Sequence, residues 1–181
     1  SDEIYSQIYF DKSKDRNEAT SVLECANMNP DRTIVVSGVS KAFSMTGFRV
    51  GWLIANDHII NTSIKLQEAF LSCGVPISQL AAKTAIETSL NGTDNNYVKE
   101  CVDEYNDRRQ IALSILEGND LKTYEPLGAF YCLVPIKEWI NRRYDDRRDD
   151  YSFSPTVQFC KELLDNKHVA VSPGDTFGTN T

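Results

Sequence analysis

Between Thr33 and Ala55 the chain passes from a short apolar run through a polar loop of small residues to a second apolar run. Ile34, Val35 and Val36 predict one buried strand, and Val50 to Ile54 predict another. Beyond Ala55 the apolar period changes. Ile59, Ile60, Ile64, Leu66, Phe70 and Leu71 approximate one face of a helix that starts at Asp57 and ends near Gly74 and Pro76. Ser78 is the expected cap of a second helix, with Leu80, Ala81, Ala85, Ile86 and Leu90 as its apolar set and Gly92 as its terminator. A third helix is predicted from Tyr97 to Leu116, with Val98, Cys101, Val102, Tyr105, Ile111, Ala112 and Ile115 near one stripe. Arg108 and Arg109 fall where that pattern is most charged and read as a solvated face or as carboxylate partners.

Two more strands are expected, Leu121 to Tyr124 and Ala129 to Val134, across the turn Pro126-Leu127-Gly128. Asn141 to Asp150 interleaves arginines with aspartates and reads as an exposed loop whose charges cancel, which argues against a phosphate or RNA patch. Ser154 is the cap and Pro155 the first position of a last helix, buried through Val157, Phe159, Cys160, Leu163 and Leu164. Val169 to Val171 returns as a strand. Upstream, Ser6 to Asp31 is polar, with a solvated loop at Asp11 to Arg16 and a short helix or turn over Ala19 to Cys25 that Asn29-Pro30 ends.

Composition narrows the classes. The 181 residues carry a formal charge of −7, which argues against a nucleic-acid partner. The sequence contains neither an apolar run long enough for a membrane helix nor a signal-peptide pattern. Its 5 cysteines are scattered without zinc spacing and read as reduced thiols, as in a cytoplasmic or organellar protein. His58 and His168 have no ligand at metal spacing, and Met45 and Trp52 read as core. The Asn-x-Ser/Thr matches at Asn61 and Asn91 read as chance.

The loop between the first two strands holds Lys41, preceded by Ser37, Gly38 and Ser40 and followed by Thr46, Gly47 and Arg49. One reading is a solvated turn. The other is an amine, partly desolvated and beside a second cation, that gives up its proton readily and condenses with an aldehyde. In that reading Arg49 supplies a planar fork for a phosphate dianion, and Ser37 and Ser40 supply hydroxyl donors. Asp2 and Tyr5 stand an odd number of positions apart, so they meet one ligand only where a strand ends and the backbone turns. A carboxylate there can keep a pyridine nitrogen protonated, as a pyridoxal cofactor requires to act as an electron sink. A nearby phenol can donate to that cofactor's ring oxygen.

SDEIY (Ser1 to Tyr5), SGVSKAFSMTGFRVGW (Ser37 to Trp52), GAFY (Gly128 to Tyr131) and VAVSPGDTFG (Val169 to Gly178) together give the chain its resemblance to a known family. It resembles the class I/II pyridoxal 5′-phosphate-dependent aminotransferases of aspartate aminotransferase fold type I. The motifs follow the family's order over nearly the whole chain. The resemblance implies Asp2 on the pyridine nitrogen, Tyr5 on the ring oxygen, Lys41 as Schiff-base lysine and proton shuttle, and Arg49 on the phosphate. Relatives often have a phosphate-binding serine at the position of Gly38; Ser37, Ser40 or a backbone amide is the expected substitute.

Family members are about twice this length, so the expectation is a C-terminal piece truncated at both ends. The glycine-rich phosphate loop, the ring-stacking aromatic residue and an asparagine on the ring oxygen would precede it, and the arginine for the substrate carboxylate would follow it. The implied fold class is α/β: residues 1–93 end a mostly parallel large-domain sheet with its interdomain helices, and residues 94–181 begin a small α+β domain. The implied parent is a homodimeric transaminase acting on an amino acid and a 2-oxo acid. A lyase or synthase on the same scaffold, and a cofactor-binding module without turnover, are the alternatives. The isolated piece is expected to be inactive.

Overall fold

The computed structural model describes residues 1–11, 18–25, 27–91, 97–144 and 154–178. Two strands and five α-helices are described: β1 (Val35–Gly38), β2 (Gly51–Ile54), α1 (Asp57–Leu71), α2 (Pro76–Leu90), α3 (Tyr97–Glu117), α4 (Lys137–Tyr144) and α5 (Pro155–Lys167). The chain divides into two compact units. One comprises Ser1–Ile111 with Pro126–Tyr131, and the other Ala112–Glu125 with Cys132–Thr181.

In the first unit β1 pairs antiparallel with β2, placing Val35 opposite Ile54, Ser37 opposite Trp52 and Gly38 opposite Gly51. The other edge of β1 takes up Ser1 to Glu3 in parallel: the Val36 amide donates to Ser1 O at 2.9 Å and the Glu3 amide to Val36 O at 2.8 Å. Asp2 and Val36 form the bridge. Among the described residues β1 thus has an antiparallel neighbour in β2 and a parallel one at the Asp2 bridge. The antiparallel pairing follows from the connection, since a loop without a crossover helix brings β2 back beside β1 in the opposite direction. At the start of β1 Val35 is buried and Val36 exposed, but Gly38, on the same face as Val36, is buried.

The core of this unit is Ile8, Phe10, Val35, Val39, Ala42 and Ala82. Val39 and Ala42 are buried on either side of Lys41, so two apolar anchors fasten the lysine loop. Trp52 is 39% exposed, contrary to its reading as core. Many apolar helix positions are also open to solvent. Phe70 at 80% and Leu90 at 79% belong to the apolar stripes that the 3.6-residue period picks out. The period identifies which face is apolar, not whether the same chain covers it.

Helix ends follow their caps. Asn56 Oδ1 accepts the Ile59 amide at 3.0 Å at the start of α1. Ser154 Oγ accepts the Val157 amide at 3.3 Å at the start of α5, as its position before Pro155 predicts. α2 begins earlier than expected, at Pro76 after the cap position Val75, because a proline at the first helical position needs no amide partner; Ser78 lies inside the first turn. α2 ends at Leu90 with Asn91 as C-cap, and the expected terminator Gly92 lies outside the described residues.

Three expected strands are not strands. Residues 121–124, 129–134 and 169–171 form no ladder. Ala129 adopts a left-handed backbone, φ 57°, which a strand excludes, and Thr123 Oγ1 donates to Leu133 O, a side-chain bond where a ladder would use the backbone. The expected loop at 141–150 is helical through Tyr144, and residues 145–150 lie outside the description.

Candidate active site

Asp2 and Tyr5 meet the condition set by their spacing, because the backbone turns immediately after the parallel bridge. The Ser6 amide donates to Glu3 O at 3.0 Å and the Ile8 amide to Tyr5 O at 2.9 Å. Asp2 Oδ1 accepts the Ile4 amide at 3.1 Å, an Asx turn that starts the reversal. The neighbouring carboxylate points elsewhere: Glu3 Oε1 accepts Ser21 Oγ at 3.0 Å and the Val22 amide at 2.9 Å. Burial by itself would raise the Glu3 pKa, but the Val22 amide, the Ser21 and Ser1 hydrogen bonds and the nearby amino terminus together hold it below the ordinary value. The two adjacent acids thus take different partners, Asp2 the Ile4 amide and Glu3 the Ser21 hydroxyl and Val22 amide.

Lys41 begins the turn that follows β1, its carbonyl accepting the Ser44 amide at 3.2 Å. Its Nζ lies 5.6 Å from the ring centroids of both Tyr5 and Phe130. Tyr5 meets Phe130 edge to face at 5.3 Å and Tyr131 at 5.7 Å, and Phe130 also touches Tyr105 at 5.4 Å. Tyr5 Oη and Tyr131 Oη share a hydrogen bond of 2.8 Å. The amine is therefore seated among aromatic rings, an environment that accommodates a cation, and among the described residues it has no ion-pair partner.

The Tyr5 phenol is pushed up to about 12, by burial first, then by its bond to Tyr131 and the charge Tyr131 would carry, then by the Asp2 carboxylate. It stays a proton donor well above neutrality. The sign of the pH dependence follows. Between pH 10 and about 12 the folded protein keeps a proton that an unfolded tyrosine has released, so this stabilisation is present below pH 10 and is lost as pH rises through 12. Denaturant midpoints measured over that interval should fall more steeply in the native protein than in Tyr5→Phe. Equal slopes would show that Tyr5 is an ordinary phenol.

The other residues named from sequence are less closely joined. Arg49 is exposed, ends a 3-10 turn in a left-handed conformation of φ 56°, and donates Nη1 to Thr46 O at 3.0 Å. Ser37 Oγ donates its single proton to Glu3 O at 3.2 Å. Ser40 is half-buried beside Lys41. Among the described residues no hydrogen bond joins Arg49, Ser37 or Ser40 to Lys41. A cavity of about 140 Å³ is lined among others by Ile4, Gln7, Ser37, Gly38, Trp52 and Leu90; it includes Ser37 but not Lys41. Gln7 Oε1 is buried without a hydrogen-bond partner among the described residues.

Three contributors escaped the sequence reading. Phe130 and Tyr131 belong to GAFY, which carried the resemblance without an assigned role. Arg109, expected on a solvated face, is partly buried: its Nη1 donates to Pro126 O at 2.6 Å and its Nε to Asn106 Oδ1 at 3.1 Å. Its guanidinium lies 4.9 Å from the Phe10 ring centroid. An arginine beside a second arginine on a helix gives no local sign of a carbonyl acceptor 17 positions away.

The family model for aminotransferase class I and II matches residues 1–181. The chain belongs to this family. Aspartate aminotransferase of Thermotoga maritima is 33% identical over 177 residues, covering 98% of this chain and 39% of that protein. The bifunctional aspartate aminotransferase and glutamate/aspartate-prephenate aminotransferase of Petunia hybrida is 35% identical over 182 residues, covering 100% and 36%. The crystal structure of aromatic aminotransferase from Pyrococcus horikoshii superimposes with a TM-score of 0.78 at 30% identity, covering 98% of this chain and 42% of that one. The described structure is part of the aminotransferase α/β fold. It spans about two fifths of the length of these class I and II relatives.

Proposed function

We propose that the protein is a pyridoxal 5′-phosphate-dependent aminotransferase moving an amino group between an amino acid and a 2-oxo acid. The observation that supports this reading is Lys41 Nζ lying 5.6 Å from the Tyr5 ring, with Asp2 in the parallel bridge just before Tyr5's turn, in a chain of this family. The donor set fits the cofactor: an amine for its aldehyde, a phenol for its ring oxygen, a carboxylate for its pyridine nitrogen, and Arg49 with Ser40 and backbone amides for its phosphate. Ser37 is the weakest member, because its proton is engaged by Glu3.

Bound pyridoxal phosphate supplies the electron sink for the pair left when the substrate Cα–H bond breaks. Lys41 Nζ would hold the cofactor through its aldehyde and, once free of it, would carry the substrate Cα proton. Asp2 keeps a proton on the ring nitrogen, and Tyr5 donates to the ring oxygen. The same reading includes a homodimer, a mostly parallel large-domain sheet ending with residues 1–93, and a small domain from residue 94. Five free cysteines, three of them exposed, favour a reducing compartment such as the cytoplasm.

The test is an absorbance titration of the full-length protein with pyridoxal phosphate, followed by a panel of amino acids with product analysis. A visible band that appears on loading, falls with one amino acid and returns with a 2-oxo acid is expected. Ammonia or a cyclised product without amino-group transfer would assign a lyase or synthase. Loading with no response to any amino acid would leave a binding module.

A further inference from the structure

We infer that Tyr131, held by the Arg109-anchored segment 126–131, is a positioning residue that donates to Tyr5 Oη and thereby directs Tyr5's own proton to the cofactor. This rests on the proposed reading of Tyr5 as the donor to the ring oxygen.

The two hydroxyls are 2.8 Å apart, and either can donate. A phenol has a single proton, so if Tyr5 gives it to Tyr131 nothing remains for a ligand. An anionic ring oxygen is a stronger acceptor than a neutral phenol, because a charge-assisted bond is shorter and stronger. Once Tyr5 donates to such an oxygen, Tyr131 must act as the donor, and the two bonds in series polarise each other. Tyr131 is 58% exposed, so water can satisfy its lone pairs in either arrangement.

The backbone beneath Tyr131 is held at several points. The Phe10 amide donates to Leu127 O at 2.9 Å and the Ala129 amide to Ile8 O at 2.8 Å. Arg109 Nη1 holds Pro126 O. Gly128 permits this approach, since a Cβ there would meet Ile8 O at 2.9 Å. The left-handed turn at Ala129 then presents Phe130 and Tyr131 to Tyr5, whose ring both meet edge to face. A hydroxyl delivered by so many restraints has little orientational entropy left to lose.

The experiment uses the full-length protein loaded with pyridoxal phosphate, comparing Tyr5→Phe, Tyr131→Phe and the double variant. The readout is the pH midpoint of the visible band, with thermal midpoints to verify folding. Removing a donor from the ring oxygen leaves more negative charge there, which strengthens its hold on the neighbouring imine proton. Tyr5→Phe should raise the midpoint by about one pH unit, Tyr131→Phe by about half as much, and the double variant no further than Tyr5→Phe. Arg109→Lys, which keeps the charge but loses the fork, should shift the midpoint in the same direction by less. If Tyr5→Phe leaves the midpoint unchanged, the reading of Tyr5 fails and this inference with it. If Tyr5→Phe shifts it while Tyr131→Phe does not, or the two shifts add, the inference alone is overturned.

Discussion

Lys41→Ala in the full-length protein is expected to abolish amino-group transfer, lowering kcat/KM by about 10⁴-fold or more, or about 5 kcal/mol of barrier. The size of the effect follows from two duties resting on one nitrogen, covalent capture of the cofactor and proton transport at the substrate Cα. Lys41→Arg separates charge from nucleophilicity: a guanidinium preserves the cation beside Tyr5 and Phe130 but cannot condense with an aldehyde. It should be as inactive as the alanine variant. Borohydride reduction followed by peptide mass analysis should add the cofactor to the Lys41 peptide of the native protein and to neither variant. Cofactor attached at another lysine, or Lys41→Ala turning over at a native rate, would remove the central assignment.

The strand, loop and strand around Lys41 were legible because local signals agreed there. β-branched residues marked the strands, and small polar residues marked the loop. The turn between Asp2 and Tyr5 was expected only on the condition that both meet one ligand, since their odd spacing would otherwise face them apart. What remained hidden depended on partners distant in sequence. The run Ala129 to Val134 has strand composition, but the left-handed conformation at Ala129 breaks it, and no local signal distinguishes that residue from its neighbours. Arg109 looked solvated because its acceptor, Pro126 O, belongs to a turn that only tertiary folding brings near. Tyr131 could be quoted as part of a motif, yet its partner lies 126 positions upstream. Helix stripes such as that of Phe70 and Leu71 correctly marked an apolar face, but pattern has no term for what lies against it.

Gly38→Ser should destabilise the protein by about 3 kcal/mol and should not tighten phosphate binding. The substitution would put a hydroxyl three residues before the lysine, where the family resemblance implies a phosphate-binding serine, so chemistry alone would call it a gain. Packing decides otherwise. Gly38 faces Gly51 across the ladder, and a Cβ at Gly38 would lie 2.8 Å from Val50 O and 3.0 Å from Gly51 Cα, both backbone atoms that cannot rotate aside. A Cβ at Gly51 would likewise meet Ser37 O at 2.9 Å, so the close approach is built from both strands and one substitution cannot relieve it. Since the clash begins at Cβ, Gly38→Ala should cost nearly as much as Gly38→Ser, which urea unfolding midpoints of the two variants can check. Separating β1 from β2 at this point also shifts the start of the lysine loop, so pyridoxal phosphate affinity should weaken in both. A Gly38→Ser protein of native stability with tighter cofactor binding would mean that the backbones can part there, and that serine was simply absent from a site able to hold it.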